Sequence, residues 1–271
     1  MLIQAYKERG ETPLDVLKRL KNENPEYQYV PMTYAGRLDP MAEGLMLVLT
    51  GDDCMKKDEY TNLSKEYEVT ILFGFATDTY DLLGLVEDER SHVVPGRLAQ
   101  AVEPSRAKIQ QDFMCADGNN MTSEFSKIIK NFTGKIDQKY PPYSSRTVNG
   151  KPLFQWAREG RLDEITIPSH EVYISNIELI EESKITKTKL AKYIKENIGK
   201  IKGDFRQEEI LEKWNEVLQN STEEEFVCIK LKIACSSGTY VRVVAHELGE
   251  SVGTQALAMH IKRTKIGDYS I

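Results

Sequence analysis

One carboxylate stands out as a candidate for chemistry because of the residues around it. Asp39 lies between Gly36, which suits a turn, and Pro40, and an apolar run over residues 45–49 follows as a predicted buried strand. An ionised carboxylate held at the mouth of a cleft can act as a nucleophile. An Asp before a Pro is also a common helix N-cap, with Gly44 ending a short turn. The spacing alone leaves both interpretations open.

A second candidate stretch combines basic and aromatic side chains in a proline-containing segment. Its members are Lys139, Tyr140, Tyr143, Arg146 and Lys151. Basic groups pair with phosphates and aromatic rings stack on bases, so this composition is typical of nucleic-acid binding. A solvated loop would have a similar composition, and both interpretations stay open.

The composition limits the class of protein. With 271 residues and 40% apolar content, the chain can bury one large core or two modest ones. No apolar run approaches the ~20 residues of a membrane span, and the first residues lack the features of a signal peptide, so we expect a cytoplasmic protein with no membrane contact. The scattered cysteines and histidines form no metal motif, so we expect no metal and no cofactor. The net charge of −6 weighs against a polyanionic partner, although the local charge decides.

The hydrophobic pattern predicts the elements that would position these candidates. Apolar residues alternate with polar ones over residues 67–73 and again over 226–234, which predicts two strands. A helix is predicted from near Thr239, with Arg242 close to its start, and a second helix at about 254–262. A surface connection is predicted at residues 87–100, and residues 105–133 have a loose helical pattern.

Residues 184–226 differ from the rest of the chain and predict an inserted helical hairpin. Eight basic residues lie between positions 184 and 206, and seven glutamates lie between 208 and 225. Apolar residues recur at helical spacing on both sides of Gly203, which suits the turn. The charged faces are either solvated or paired with each other, or the basic helix contacts a phosphate backbone. These alternatives stay open.

Several ordered sequence blocks resemble the TruB family of tRNA pseudouridine synthases. The blocks are residues 36–45 (Gly-Arg-Leu-Asp-Pro-Met-Ala-Glu-Gly-Leu), 65–67 with 73–81, 143–160, 238–242 and 263–269. The resemblance implies an α+β fold, the pseudouridine synthase fold, with a mixed, mostly antiparallel sheet flanked by helices. It also implies a single catalytic domain over residues 1–271, with a helical insertion at about 184–226.

The resemblance implies an isomerase that converts uridine to pseudouridine in tRNA, at uridine 55 of the T-loop. Asp39 would attack the flipped-out uridine, at the base or at the sugar. Tyr67 would stack on the base and help to move its proton, and Arg242 would pair with Asp39. Tyr240 and Ile261 would line the pocket. A guanidinium near a carboxylate favours the ionised form, and its planar fork fixes the orientation of the carboxylate.

Departures from the family pattern lie close to Asp39. Tyr34 stands where the family usually has His, and Arg37 stands where a small residue or Thr is commoner; both are candidate substrate-binding residues, as is Arg146. The motif Gly-Arg-Leu-Asp followed by Glu-Gly-Leu resembles the corresponding motif of ribosomal-RNA pseudouridine synthases of the RsuA type. The first alternative function is therefore pseudouridine formation in ribosomal RNA. The second is a tRNA-binding or folding protein that uses the same fold. We expect a monomer that binds the T-arm of tRNA and has no C-terminal PUA module.

Overall fold

The computed structural model describes residues 1–87, 125 and 128–271. The strands are β1 (Leu2–Lys7), β2 (Met32–Ala35), β3 (Ala42–Thr50), β4 (Lys65–Phe73), β5 (Gly134–Lys139), β6 (Thr147–Val148), β7 (Lys151–Pro152), β8 (Ser169–Thr186), β9 (Glu225–Cys235), β10 (Ala256–Ile266) and β11 (Tyr269–Ser270). The helices are α1 (Pro13–Glu23), α2 (Lys57–Thr61), α3 (Leu153–Arg158), α4 (Lys187–Ile198), α5 (Gln207–Asn220) and α6 (Val241–Ser251). Most of the surface connection predicted at 87–100 and of the helical pattern predicted at 105–133 lies outside the described residues.

A mixed sheet organises the described part of the chain. Its main path runs in the order β1-β3-β10-β4-β9-β8-β5, with β2 paired to β3 and β11 paired to β10. Within the described residues β3 and β10 are the one parallel pair, and the other neighbours are antiparallel. The chain therefore has the α+β architecture, with a mixed and mostly antiparallel sheet, that the sequence predicts.

One face of the sheet is covered by α6. Tyr67, Val69, Ile71 and Phe73 alternate along β4 and point to this face, where they join one apolar cluster with residues of α6 such as Leu248. The alternation follows from the pleat, which sends successive side chains to opposite faces. Burial of each large apolar side chain contributes about 1.5–3 kcal/mol. This packing fixes α6, and hence Arg242 near its start, against the centre of the sheet.

The other face is covered by α4 and α5, which together with residues 199–206 form the helical hairpin. The hairpin joins the paired strands β8 and β9, where Thr186 lies opposite Glu225. Trp214 of α5 is buried, and its ring centroid lies 5.2 Å from that of Phe75. Gly203, in the connection between the helices, has a φ of +96°. The hairpin is thus part of the packed core.

The structure corrects the second helix predicted at about 254–262. This segment is β10, which is hydrogen-bonded between β3 and β4 at the centre of the sheet. Its short run of small and apolar residues fits both helical and strand patterns, and pairing on both sides decides for the strand. Ile261 therefore points from a strand into the cluster beneath α6.

The helix N-cap interpretation of Asp39 is also wrong. No helix begins after Asp39 in this described region, where a turn leads directly into β3. Gly44 lies inside β3, not at the end of a turn, and has a φ of +116°.

The helices of the described residues include none with the length and the apolar content of a membrane span.

Candidate active site

A cavity of about 770 Å³ opens where several segments meet beside the sheet. They include the Asp39 turn, the loop after β4, the start of α6, the loop after β5 and the tip of the helical hairpin. Of the sequence-predicted site residues, the lining includes Arg37, Asp39, Tyr67, Arg146, Tyr240, Arg242 and Ile261. Segments distant in the chain therefore place these predicted residues around one space.

The Asp39 turn is fixed from behind by two buried cations. Arg263 donates from Nε to the carbonyl of Leu45 (2.8 Å) and from Nη1 to the carbonyl of Arg37 (3.0 Å). Lys7 donates from Nζ to the carbonyl of Ala42 (2.6 Å), and burial lowers the pKa of Lys7 to about 8. Hydrogen bonds to charged donors are the stronger ones. They hold the backbone on both sides of Asp39.

Gly44 allows β3 and β10 to approach closely beneath this turn. A Cβ atom at position 44 would lie 2.3 Å from the carbonyl oxygen of Arg263. The positive φ of Gly44 is also unfavourable for other residues. The glycine of this motif therefore serves the close packing that positions Asp39.

Arg242 forms an ion pair with Asp39 and is held by two backbone carbonyls. Its Nε lies 3.0 Å from Oδ2 of Asp39, and its side chain is only 3% exposed. Its Nη1 donates to the carbonyl of Thr79 (2.6 Å) and its Nη2 to the carbonyl of Tyr143 (3.0 Å). We call Asp39, Thr79, Tyr143 and Arg242 the polar centre. The carboxylate of Asp39 stays 40% exposed, so it faces the cavity while the guanidinium is locked below it.

A second carboxylate, Asp81, lies buried next to the polar centre. It accepts hydrogen bonds from the Thr79 hydroxyl (2.8 Å) and the Leu83 amide (2.9 Å). Burial raises the pKa of Asp81 to about 6, against the opposing effect of Arg242. The loop that supplies the Thr79 carbonyl is therefore tied down by its own side chains.

The apolar part of the lining includes tyrosine rings and the aliphatic side chain of Ile261. Tyr67 on β4 and Ile261 on β10 are buried, and burial raises the pKa of Tyr67, which keeps its phenol protonated near neutral pH. The backbone of Tyr240 is held by Gln138, which accepts from the Tyr240 amide (2.8 Å). Tyr140 meets Tyr240 edge to face at 5.9 Å. Planar walls of this kind suit a planar ligand such as a nucleobase.

The lining is cationic although the whole chain is acidic. Among the described residues it includes seven cationic side chains and three carboxylates. The cationic residues are Arg37, Lys65, Arg146, Arg158, Arg206, Arg242 and Arg263, and the acidic ones are Asp39, Asp81 and Asp204. Arg37 is exposed, and the guanidinium of Arg146 lies 5.1 Å from the ring centre of Tyr140. The local charge therefore favours an anionic ligand.

Lys139 and Lys151 of the basic and aromatic stretch do not line the cavity, and neither does the predicted substrate-binding residue Tyr34. Its side chain packs against the cluster around Val16 and Met46, beneath the Nζ of Lys57. Sequence reasoning assigned no role to Lys7, Asp81, Arg206 or Arg263. The signals were their charge and, for Asp81 and Arg263, their place in the blocks 73–81 and 263–269; burial against remote groups does not show in local spacing. The described residues contain no group of three or more side chains suited to holding a metal ion.

Comparison with known proteins identifies similar sequences and a similar fold. The family model described as "TruB family pseudouridylate synthase (N terminal domain)" matches residues 27–116 and 113–198. Proteins named tRNA pseudouridine synthase B from Parabacteroides distasonis (26% identity; 89% of this chain, 74% of the relative) and Flavobacterium johnsoniae (28%; 88% and 74%) are similar in sequence.

A similar fold also occurs in a solved structure of an H/ACA ribonucleoprotein bound to a substrate RNA that contains 2′-deoxyuridine. The TM-score is 0.50 at 14% identity, and the match covers 99% of this chain. The chain spans 48% of the length of that solved chain. At this identity the likeness concerns the fold alone.

Proposed function

The chain belongs to the TruB family of pseudouridylate synthases, and from this we propose that it isomerises uridine to pseudouridine in tRNA, at uridine 55 of the T-loop. The observation that carries the proposal is the Asp39–Arg242 ion pair of 3.0 Å at the cavity, with the carboxylate open to ligand. The relatives named tRNA pseudouridine synthase B and the cationic lining support tRNA as the substrate.

The reaction exchanges one glycosidic bond for another. The bond between N1 of uracil and C1′ of ribose breaks, a bond between C5 and C1′ forms, and the proton on C5 is lost while N1 gains one. Asp39 is the nucleophile that holds one fragment covalently, at the base or at the sugar, until the base has turned. Arg242 pairs with the carboxylate and orients it, because its guanidinium is fixed by the carbonyls of Thr79 and Tyr143.

The apolar lining receives the flipped-out base. Extrusion of a base from its stack costs a few kcal/mol, which stacking on an aromatic ring partly recovers. Tyr67 stacks on the uracil and helps to move its proton. Tyr240 and Ile261 complete the pocket walls.

Basic residues at the rim hold the RNA around the flipped nucleotide. Arg37 is exposed beside Asp39, and Arg146 lies next to the ring of Tyr140, so both suit contacts with phosphates of the T-arm. Tyr34 contributes only indirectly, through the packing of β2. We propose that residues 1–271 form one catalytic domain that acts as a monomer in the cytoplasm, with the helical hairpin inserted between β8 and β9.

The test is incubation with an unmodified tRNA transcript, followed by mapping of pseudouridine at single-nucleotide resolution. An isolated T-arm stem-loop and a ribosomal-RNA fragment serve as comparison substrates. Conversion at position 55 in the tRNA and the stem-loop is expected. Conversion of the ribosomal fragment alone would contradict the substrate assignment, and binding without any conversion would contradict the enzymatic function.

A further inference from the structure

The tip of the helical hairpin reaches the cavity and places Arg206 beside it. Residues 204–206 line the cavity, although the helices on either side of them cover the opposite face of the sheet. The tip is held internally by Gln207, which donates to the carbonyl of Gly203 (2.7 Å) and accepts from the amide of Phe205 (2.9 Å). The hairpin thus presents a fixed side chain to the site.

Arg206 contacts two residues, and each belongs to a segment that holds Arg242. Its Nη1 donates to Oδ2 of Asp78 at 2.8 Å, and its guanidinium lies 4.6 Å from the ring centre of Tyr143. Asp78 precedes Thr79, whose carbonyl accepts from Arg242, and Tyr143 itself supplies the second carbonyl acceptor. A single side chain therefore bridges both acceptor segments of the polar centre from outside.

The contacts of Asp78 and Tyr143 bind these segments together. Asp78 also accepts from the amide of Leu85 through Oδ1 (2.9 Å), so its two oxygens serve different partners. Burial, followed by the charge of Asp78 and a hydrogen bond to it, raises the pKa of Tyr143 to about 12. The bridge is partly shielded from solvent, with 20% of the Arg206 side chain and 27% of the Asp78 side chain exposed.

We propose that Arg206 is a positioning residue for catalysis, which acts through Asp78 and Tyr143 on the two carbonyls that orient Arg242. This inference rests on the proposed function, because it concerns the rate of the same reaction. The charge of Arg206 is balanced by Asp78 and one face of its guanidinium is covered by Tyr143, while its buried Nη2 has no hydrogen-bond partner among the described residues. A phosphate contact is therefore the alternative that the Kd measurement below tests, and in our proposal the hairpin serves the chemical step rather than RNA affinity.

Arg206→Asn is the most informative variant. Arg206 has a φ of +64°, and Asn tolerates this left-handed conformation and suits a helix N-cap, so the backbone is retained while the guanidinium is lost. Arg206→Lys keeps the charge opposite Asp78 and loses the planar contact with Tyr143. Lys202→Asn, in the same connection but outside the cavity lining, is the matched control for loss of charge.

The readouts are the single-turnover rate of pseudouridine formation at saturating enzyme and, separately, the Kd for the tRNA transcript. We expect Arg206→Asn to lower the rate by about tenfold to a hundredfold, as small misplacements of catalytic groups do, with Kd changed by less than about twofold. The rate of Arg206→Lys should lie between the rates of Arg206→Asn and the wild type. The rate and the Kd of Lys202→Asn should equal those of the wild type. Asp78→Asn combined with Arg206→Asn should be no slower than the slower single variant, because both changes break one bridge.

Three outcomes overturn the inference. A wild-type rate in Arg206→Asn removes the positioning role, and a raised Kd with an unchanged rate shows an RNA contact instead. Independent, multiplying effects of Asp78→Asn and Arg206→Asn exclude action through Asp78. A wild-type chain that forms no pseudouridine overturns the proposed function itself, and with it this inference. If Arg206→Asn unfolds below the assay temperature, Arg206→Lys and Asp78→Asn give the same readouts.

Discussion

The polar centre and the helical hairpin are stabilised by different interactions. The polar centre joins residues from four distant segments through an ion pair and hydrogen bonds to backbone carbonyls. The hairpin is one continuous segment whose apolar side chains, such as Leu190 and Trp214, are buried against the sheet. Hydrogen bonds are directional, so they fix the orientation of the side chains in the polar centre. The hydrophobic effect is not directional, so the buried side chains of the hairpin contribute mainly stability. Substitutions in the polar centre should therefore lower the reaction rate, and substitutions in the hairpin should lower the stability of the fold.

The largest effect on stability is expected from Trp214→Ala in the hairpin. Trp214 is 1% exposed, and its removal leaves a large cavity against Phe75, which should lower the free energy of unfolding by about 3–5 kcal/mol. Denaturant unfolding measures the change. The rate of pseudouridine formation, measured well below the transition, should change little. Trp214→Phe is the control, and a Trp214→Ala variant as stable as wild type would show that the hairpin does not depend on burial.

In the polar centre, Arg242→Lys should lower the rate of pseudouridine formation more than it lowers the stability of the fold. Lys keeps the positive charge near Asp39 but cannot reach Asp39, Thr79 and Tyr143 together, so the single-turnover rate should fall by about tenfold to a hundredfold. The loss of rate should exceed what any change in unfolding can explain. The control is Arg161→Lys, a surface residue paired with Glu164 and Glu159. Unchanged kinetics in Arg242→Lys would mean that the fork geometry has no role.

A smaller, pH-dependent effect is expected from Glu247 on the helix that carries Arg242. Burial, and then the charge of Glu250, raises the pKa of Glu247 to about 7. Because the folded state binds this proton more tightly than the unfolded state, wild-type stability should fall as the pH rises from about 4.5 to about 7.

Glu247→Gln removes this titration and should be more stable than wild type by about 1–2 kcal/mol above pH 7, after allowance for partial solvent exposure. The difference between the two proteins should shrink as the pH falls towards 4.5. Thermal unfolding across this range measures it. Glu196→Gln, an exposed change in the hairpin, is the control. A difference that does not vary with pH would contradict the assignment.

Local sequence patterns predicted the elements better than their contacts. Apolar spacing on both sides of Gly203 predicted the two helices of the hairpin, since that pattern is a property of each helix alone. The same reasoning failed for β10, where pairing with β3 and β4 outweighs a run that also fits a helix. The approach of Arg206 to Tyr143 is a tertiary contact, and no spacing in the sequence encodes it.

The site was predicted in part, and for a different reason. Asp39, Tyr67 and Arg242 followed from the resemblance of ordered blocks, and the structure places all three around one cavity. Arg263 lies in the matching block 263–269, but its role, like that of Lys7, is to hold the Asp39 turn through carbonyl oxygens, and such a tertiary contact is not encoded by local spacing. Tyr34 was expected near the substrate from its position in the motif, and its side chain packs on the cluster around Val16 and Met46, outside the cavity lining.

The role of Asp39 as the nucleophile is tested most directly by Asp39→Asn. This nearly isosteric change leaves the amide able to accept a hydrogen bond but removes the ionised oxygen that attacks. Pseudouridine should be undetectable in a tRNA transcript incubated with the variant, while the Kd for that transcript stays within about tenfold of the wild type. Formation of pseudouridine at a rate near that of the wild type would contradict the assignment.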